Sequence, residues 1–288
     1  MRRYRVLHRT TYRYSGEVTG SYGRAYLVPR EYPGQRVLEH DIIIDPAPSD
    51  RSVGTDVYGN SSTYFHVTAQ HRALEVTGAS LVEVDATHPE AADGIAWESA
   101  RPSTTSGPSA VEFALDLLPP EITPEITAYA AESFAPGRAI LDAVTDLNTR
   151  IHRDFRYRTG STTVSTSVAE VFRAREGVCQ DFARLAATCL RTQGLAARYV
   201  SGYLATDPPP GEPRLVGADA THAWTAVRLP GDHWLAFDPT NDQFADDRYV
   251  TVAWGRDYQD VVPLRGIVYT DAEQTTIDVS VDVAPIMN

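Results

Sequence analysis

Of the two cysteines in this 288-residue chain, Cys179 stands in the run Gly177-Val178-Cys179-Gln180-Asp181-Phe182. Downstream come Thr221-His222-Ala223-Trp224 and then Phe237-Asp238-Pro239-Thr240. A thiol, an imidazole and a carboxylate in that order are the parts of a nucleophilic acyl-transfer site. The sulfur attacks a carbonyl, the imidazole moves the proton, and the carboxylate orients the imidazole. Singly, each residue has a plainer reading: a buried small hydrophobe, a strand histidine satisfied by a neighbour, and a turn carboxylate before proline. The chemistry requires that the three meet, so the elements that carry them decide.

From Cys179 to Gly194 the residues Phe182, Leu185, Ala186, Cys189 and Leu190 recur at three and four, and Gly194 suits the position just past a helix end. This predicts a helix with Cys179 in its first turn, where the dipole favours a thiolate. Cys189 falls mid-helix on the apolar stripe, about 15 Å along the axis, so no disulfide joins the two. No Cys-x-x-Cys pair invites a structural metal.

His222 to Leu229 and Trp234 to Asp238 read as short strands joined at Pro230-Gly231-Asp232. Parity decides whether His222 and Asp238 cooperate. An odd loop sets Asp238 opposite Trp224 and His222 opposite Thr240, leaving His222 and Asp238 on one face as diagonal neighbours about 7 to 8 Å apart at the backbone. An even loop would put them on opposite faces. In the odd register Asp238 accepts one ring N–H and the other ring nitrogen faces Cys179. His152 and His233 are further candidate bases, and Asp181, Asp219 and Asp242 further orienting carboxylates; His233 is out of phase with Asp238. For an oxyanion the backbone N–H of Cys179 is the natural first donor, with Gln180, Tyr157 and Trp224 as candidates for the second or as pocket walls.

Around these elements the chain divides by composition. Tyr4 to about Val84 is rich in Tyr, Val, Thr and Ile in short runs between turn residues, with strands expected at Leu38, 41–45, 62–68 and 79–84, an antiparallel sandwich. Residues 85–107 turn to Ala, Ser, Thr, Pro and acid and read as a boundary. Thr123-Pro124-Glu125 is a helix start, and Ile140, Leu141, Val144, Leu147 and Ile151 make an amphipathic helix. Ala197 to Leu204 is a strand followed by a Pro208-Pro209-Pro210-Gly211 turn, and Thr276 to Val283 alternates as a strand that could join either sheet. The expected class is α+β: an N-terminal β domain with linker over 1–107, a catalytic domain over 108–262, and C-terminal strands over 263–288 packed on one of the two.

The net charge of −12, from 26 basic and 38 acidic residues, argues against nucleic acid or an anionic membrane as partner. No apolar run reaches the roughly 18 residues of a membrane span, and no signal-type apolar stretch follows Met1-Arg2-Arg3, so a cytoplasmic location is expected.

The chain resembles the transglutaminase-like superfamily, and within it the bacterial proteins that carry their own N-terminal β domain. The resemblance runs through Tyr12, Tyr14 and Pro29-Arg30, then Asp56-Val57-Tyr58-Gly59-Asn60 and Gly177 to Ala183. It continues in Ala196 to Tyr203, His222-Ala223-Trp224, Phe237 to Asn241, and Gly255 to Val261. It implies a papain-like core with Cys179 as nucleophile, His222 as base then acid, Asp238 as orienting carboxylate, no cofactor, and a peptide or protein substrate. Arg184 departs from the pattern, standing where many relatives have histidine; one turn beyond Cys179, a cation there could help hold a thiolate. Three functions are expected in order: a cysteine acyltransferase working through a thioester, a cysteine protease or amidase with the same residues, and a non-catalytic peptide-binding scaffold.

Overall fold

A computed structural model describes residues 1–103, 106–206 and 221–286. Its spine is β1 (Arg2–Ala25), a 24-residue strand whose buried positions alternate along most of its length. One edge of β1 pairs first with β5 (His71–Val84) and then, past a register break between Arg13 and Val18, with β4 (Ser61–Val67). β2 (Gln35–Asp45) lies beyond β5, and β3 (Asp50–Thr55) beyond β4. All pairs are antiparallel, and residues from both halves, among them Val18, Phe65, Val76 and Ile44, share one core. A single strand thus joins all of these pairings into one antiparallel sheet. Strands were expected within β2, β4 and β5; β3 carried no signal because all six of its residues are exposed.

Segment 85–103 contains no strand, yet it is not a loose tether. Ala92, Trp97 and Ala100 are buried in the helical core, and the Ile140 N–H donates to Ile95 O at 2.7 Å. The Thr104-Thr105 part of the expected boundary lies outside the described residues. Then follow α1 (Pro108–Ala114), α2 (Pro124–Ala131), α3 (Ile140–Asp154), β6 (Arg156–Tyr157), α4 (Val168–Ala174), β7 (Glu176–Gly177) and α5 (Cys179–Thr192). Thr123 caps α2 by accepting from Ile126 N at 3.3 Å. α4 begins at a reciprocal Ser167–Glu170 capping box, the Ser-x-x-Glu pattern of a helix start.

α5 ends in a complete Schellman motif: Gly194 N–H donates to Arg191 O and Leu195 N–H to Leu190 O, with Gly194 at φ 72°. It packs on a five-stranded antiparallel sheet of β8 (Ala197–Leu204), β9 (Thr221–Arg228), β10 (Trp234–Asp238), β11 (Gln243–Phe244) and β12 (Tyr249–Gly255). The spatial order is β11-β10-β9-β8-β12. The Pro208–Gly211 turn lies outside the described residues. β13 (Leu264–Thr270) and β14 (Thr275–Pro285) return to the free edge of β1, β13 against its second half and β14 against its first.

The β domain and the core are fused. Tyr4, Val6, Val82 and Val84 share a buried cluster with Tyr199, Tyr203, Ala183 and Val250, and His8 Nδ1 lies 3.0 Å from the Tyr203 hydroxyl. The outer edge of β12 has no strand partner among the described residues and is closed by side-chain amides. Gln35 donates to Thr251 O at 2.7 Å and accepts from its N–H at 2.8 Å, while Asn60 does the same for Trp254 at 2.8 and 2.9 Å. A carboxamide carries the same donor and acceptor as a peptide group, so each residue serves as one rung of a missing strand. No helix among the described residues is long and apolar enough to cross a membrane.

Candidate active site

The β9–β10 ladder pairs Trp234 with Arg228, Leu235 with Val227, Ala236 with Ala226 and Phe237 with Thr225. Extended by one residue, this register sets Asp238 opposite Trp224, the alignment an odd loop demands. His222 and Asp238 therefore share a face, and His222 Nε2 lies 2.6 Å from Asp238 Oδ2. Cys179 acts on the same imidazole and, with Asp238, favours its charged form. With Nε2 committed to Asp238, Nδ1 is the nitrogen left for sulfur.

Asp238 is fully buried and surrounded by donors. Its Oδ2 also accepts from Asn241 Nδ2 at 2.7 Å and the Tyr249 hydroxyl at 2.8 Å, and its Oδ1 from Thr240 N at 2.8 Å and Asn241 N at 3.3 Å. Burial by itself would raise this carboxyl, but the bond from His222, the imidazolium charge and the bonds from Asn241 and Tyr249 hold it below its ordinary value. For His222 burial favours the neutral ring, yet the hydrogen bond to Asp238 and the influence of Cys179 and of both charges prevail and push it up to about 10. The surroundings thus favour the imidazolium over the neutral ring.

The helix is fixed against the histidine strand by the buried Thr225 hydroxyl, which donates to Ala183 O at 2.8 Å, one turn beyond Cys179. Behind His222, Trp224 lies with its ring 6.1 Å away and inclined by 29°. Gly202, the β8 partner of His222, makes room for that indole: a Cβ there would stand 2.6 Å from its ring and 2.1 Å from Val250 O. Cys179 is partly buried against the Tyr199–Ala223 cluster. At the helix start the N–H groups of Cys179 and Gln180 belong to the first turn, which has no i−4 acceptors. Asp181, two residues on, accepts from Val178 N at 2.9 Å and Thr162 Oγ1 at 2.6 Å, a capping role.

The remaining sequence candidates separate clearly. Tyr157 is half-exposed beside Cys179, whose charge, after partial burial, raises its hydroxyl. Gln180 is partly buried on the first turn of α5, and Trp224 is buried behind the imidazole. His152 binds Thr240 O at 2.9 Å, and Asp242 accepts from Asn148 and Thr149, so neither faces Cys179's imidazole. His233 accepts the Leu229 N–H at the hairpin turn through its backbone. Asp219 lies outside the described residues. Arg184 is buried and bound to Asp257 at 2.7 Å, Glu121 at 3.0 Å and Thr166 O at 2.7 Å, so its charge is spent on tying α5 to three loops and not on the thiol. Tyr249 and Asn241 were not anticipated. Asn241 could have been, because Asp-Pro-Thr-Asn forms an Asx turn in which the carboxylate meets the next backbone N–H groups. Tyr249 is joined to Asp238 only by the sheet and left no local trace.

Family models match along the chain in the same order as these elements. Residues 4–83 match the bacterial transglutaminase-like N-terminal region, and residues 127–239 match the transglutaminase-like superfamily. An uncharacterized protein of Mycobacterium tuberculosis is 58% identical over 98% of this chain and 93% of its own length. One of Mycobacterium leprae is 33% identical over 98% of this chain and 99% of its own. Among solved structures, a proposed cysteine protease from Cytophaga hutchinsonii superimposes with a TM-score of 0.75 at 16% identity, covering 98% of this chain and 97% of that one. Its likeness extends through both the β domain and the core, which has the papain-like fold of cysteine enzymes. The chain therefore belongs to the transglutaminase-like superfamily, with the bacterial N-terminal β region built onto its core.

Proposed function

We propose that this chain is a cysteine acyl-transfer enzyme acting on a carboxamide or peptide bond. One arrangement carries the reading: His222 held at 2.6 Å by a buried carboxylate, with Cys179 at a helix start acting on the same ring. A protonated imidazole beside the sulfur stabilises the thiolate. The thiolate forms a bond to the carbonyl carbon, and the resulting oxyanion meets first-turn N–H groups of α5. As the tetrahedral intermediate collapses, the C–N bond breaks and the His222 proton goes to the departing ammonia or amine. A thioester to Cys179 and a neutral imidazole remain. An amine or water then attacks the thioester, giving its proton to His222, and the sulfur leaves as thiolate.

An amine acceptor makes the enzyme a transferase, and water makes it a protease or amidase with the same residues. The structural likeness to a proposed cysteine protease keeps hydrolysis as the second reading. The test is mass spectrometry of purified protein with glutamine-containing peptide amides, with and without a primary amine. A covalent acyl adduct on Cys179, lost in Cys179→Ala, supports the acyl-enzyme. Amine incorporation against ammonia release or chain cleavage then separates transfer from hydrolysis. Absence of any adduct together with full cellular function of Cys179→Ala would favour a binding scaffold.

A further inference from the structure

On the face of the core sheet turned away from α5, a groove of about 740 Å³ runs between β8–β10 and the β-domain segments 30–34 and 84–92. Its lining does not include Cys179, His222 or Asp238, and it borders the triad only through Trp224 and Tyr249, which stand behind His222 and Asp238. Three of the chain's four tryptophans, Trp224, Trp234 and Trp254, form its walls, with Val200 and Ala226 between them.

Arg198 projects into this groove against two indoles. Its guanidinium carbon lies 3.5 Å from the centre of the Trp234 ring and 4.0 Å from that of Trp254. Arg30 covers the same Trp254 at 3.5 Å, but its guanidinium is bound to Asn60 Oδ1 at 2.5 Å and Tyr58 O at 2.8 Å. Arg198 has no hydrogen-bonding or ion-pair partner among the described residues, and its Nε is buried without an acceptor. The carboxylate that acts on it electrostatically, Asp232, is already paired with Arg228 at 2.9 Å. Burial, with repulsion from Arg30 and Arg228, accordingly pulls Arg198 down to about 9.

A cation without a counterion in a partly buried apolar setting is costly, and native structures seldom leave one unanswered. The two indoles lie against the guanidinium carbon, which leaves the N–H groups as the part that can bind. Those groups match a carboxylate, whose two oxygens accept from a planar fork. The apolar walls suit the carbon skeleton behind such a group.

We infer that this groove is a second binding site, separate from the Cys179 centre, for a ligand that presents a carboxylate to Arg198 and an apolar group to the tryptophan walls. A free small acid and the C-terminus of a peptide share this chemistry.

The wall tryptophans provide the readout. Intrinsic fluorescence of the full chain is titrated with N-acetyl-leucine, with its neutral analogue N-acetyl-leucinamide, and with an acetylated tetrapeptide acid ending in leucine. The acid should give a saturable change at least 10-fold tighter than the amide, and Cys179→Ala should leave that affinity unchanged. Arg198→Gln should weaken the acid at least 10-fold while Cys179 alkylation proceeds at the wild-type rate. Tetrapeptide binding 10-fold tighter than N-acetyl-leucine identifies a peptide terminus as the source; equal affinity identifies a small acid. Equal binding of acid and amide, no saturable response to either acid, or an unaltered affinity in a folded Arg198→Gln would overturn the site. The acid–amide comparison needs no variant, so a misfolded Arg198→Gln does not remove the test.

Discussion

Replacing Asp238 with asparagine preserves shape and removes one acceptor from a place where every neighbour donates. The carboxylate receives five hydrogen bonds, two on Oδ1 from backbone N–H groups and three on Oδ2 from His222, Asn241 and Tyr249. An asparagine NH₂ turned toward Thr240 and Asn241 would meet two N–H donors with no acceptor, a loss of about 1–3 kcal/mol for a buried unsatisfied group. Turned the other way, it would require His222 to present a lone pair at Nε2. The ring proton would then reside on Nδ1, the nitrogen that must receive the proton of the attacking amine or water. Either way the charge that holds the imidazolium is gone, and His222 should fall from about 10 toward or below its ordinary 6.5, because burial then acts unopposed by Asp238. Acyl transfer should drop by on the order of 10²–10⁴-fold, the scale on which loss of an orienting carboxylate acts in other triads. The assay pairs an NMR titration of the His222 ring with the pH profile of Cys179 alkylation by iodoacetamide. Unchanged ring titration and an unchanged alkylation profile in folded Asp238→Asn would refute the claim that this carboxylate sets the state of the imidazole.

The same pair makes stability depend on pH. His222 is raised in the folded state, so its stabilisation is complete below about 6.5 and is lost as pH climbs through about 10; the wild-type melting temperature should decline over that window more than that of Asp238→Asn. Asp238 is lowered, so its share is present above its unfolded value near 3.8 and disappears on further acidification. Iodoacetamide should label Cys179 in the native protein and spare Cys189, which is fully buried with its thiol pushed up to about 12 by that burial; labelling of Cys189 before unfolding would contradict this. Arg184→Met should cost about 3–5 kcal/mol in denaturant unfolding, because it strands Glu121 and Asp257 in a buried setting. Gln35→Leu should lose about 3 kcal/mol, near 1 per hydrogen bond to Arg30 O, Thr251 O and Thr251 N, and expose the β12 edge to faster amide exchange at Thr251.

Features written in short-range patterns were legible in the sequence. The α5 helix follows from its three-and-four spacing and its glycine stop, and Thr123-Pro124 marks a helix start that the structure contains. The hairpin carried most of the information about the site, because loop parity dictates which side chains share a face, and a ladder register is a local property. Less was legible where the pattern is exposed or the partner distant. β3 has no buried face to alternate, and β13 is exposed along nearly all its length, so neither produced a period-two signal. Arg184 shows how position misleads. One turn from Cys179 it suggested support for a thiolate, but its side chain reaches Glu121 and Asp257, residues 63 and 73 positions away.

By itself the sequence determined which residues carry reactive groups, which helix opens at Cys179, and that His222 and Asp238 could stand on one face. These depend on backbone periods that a few neighbouring residues set. Only the tertiary structure decided that Tyr249 and Asn241 complete the shell of Asp238, and that Gln35 and Asn60 act as rungs on the edge of β12. It also decided that the C-terminal strands return to β1 and that Arg198 lies against two indoles with no counterion among the described residues. Each of these joins groups whose only relation is proximity after folding. Their residue types are ordinary at their own positions, so the chemistry appears when burial removes water and leaves each donor, acceptor or charge to be answered by whatever the fold brings within reach.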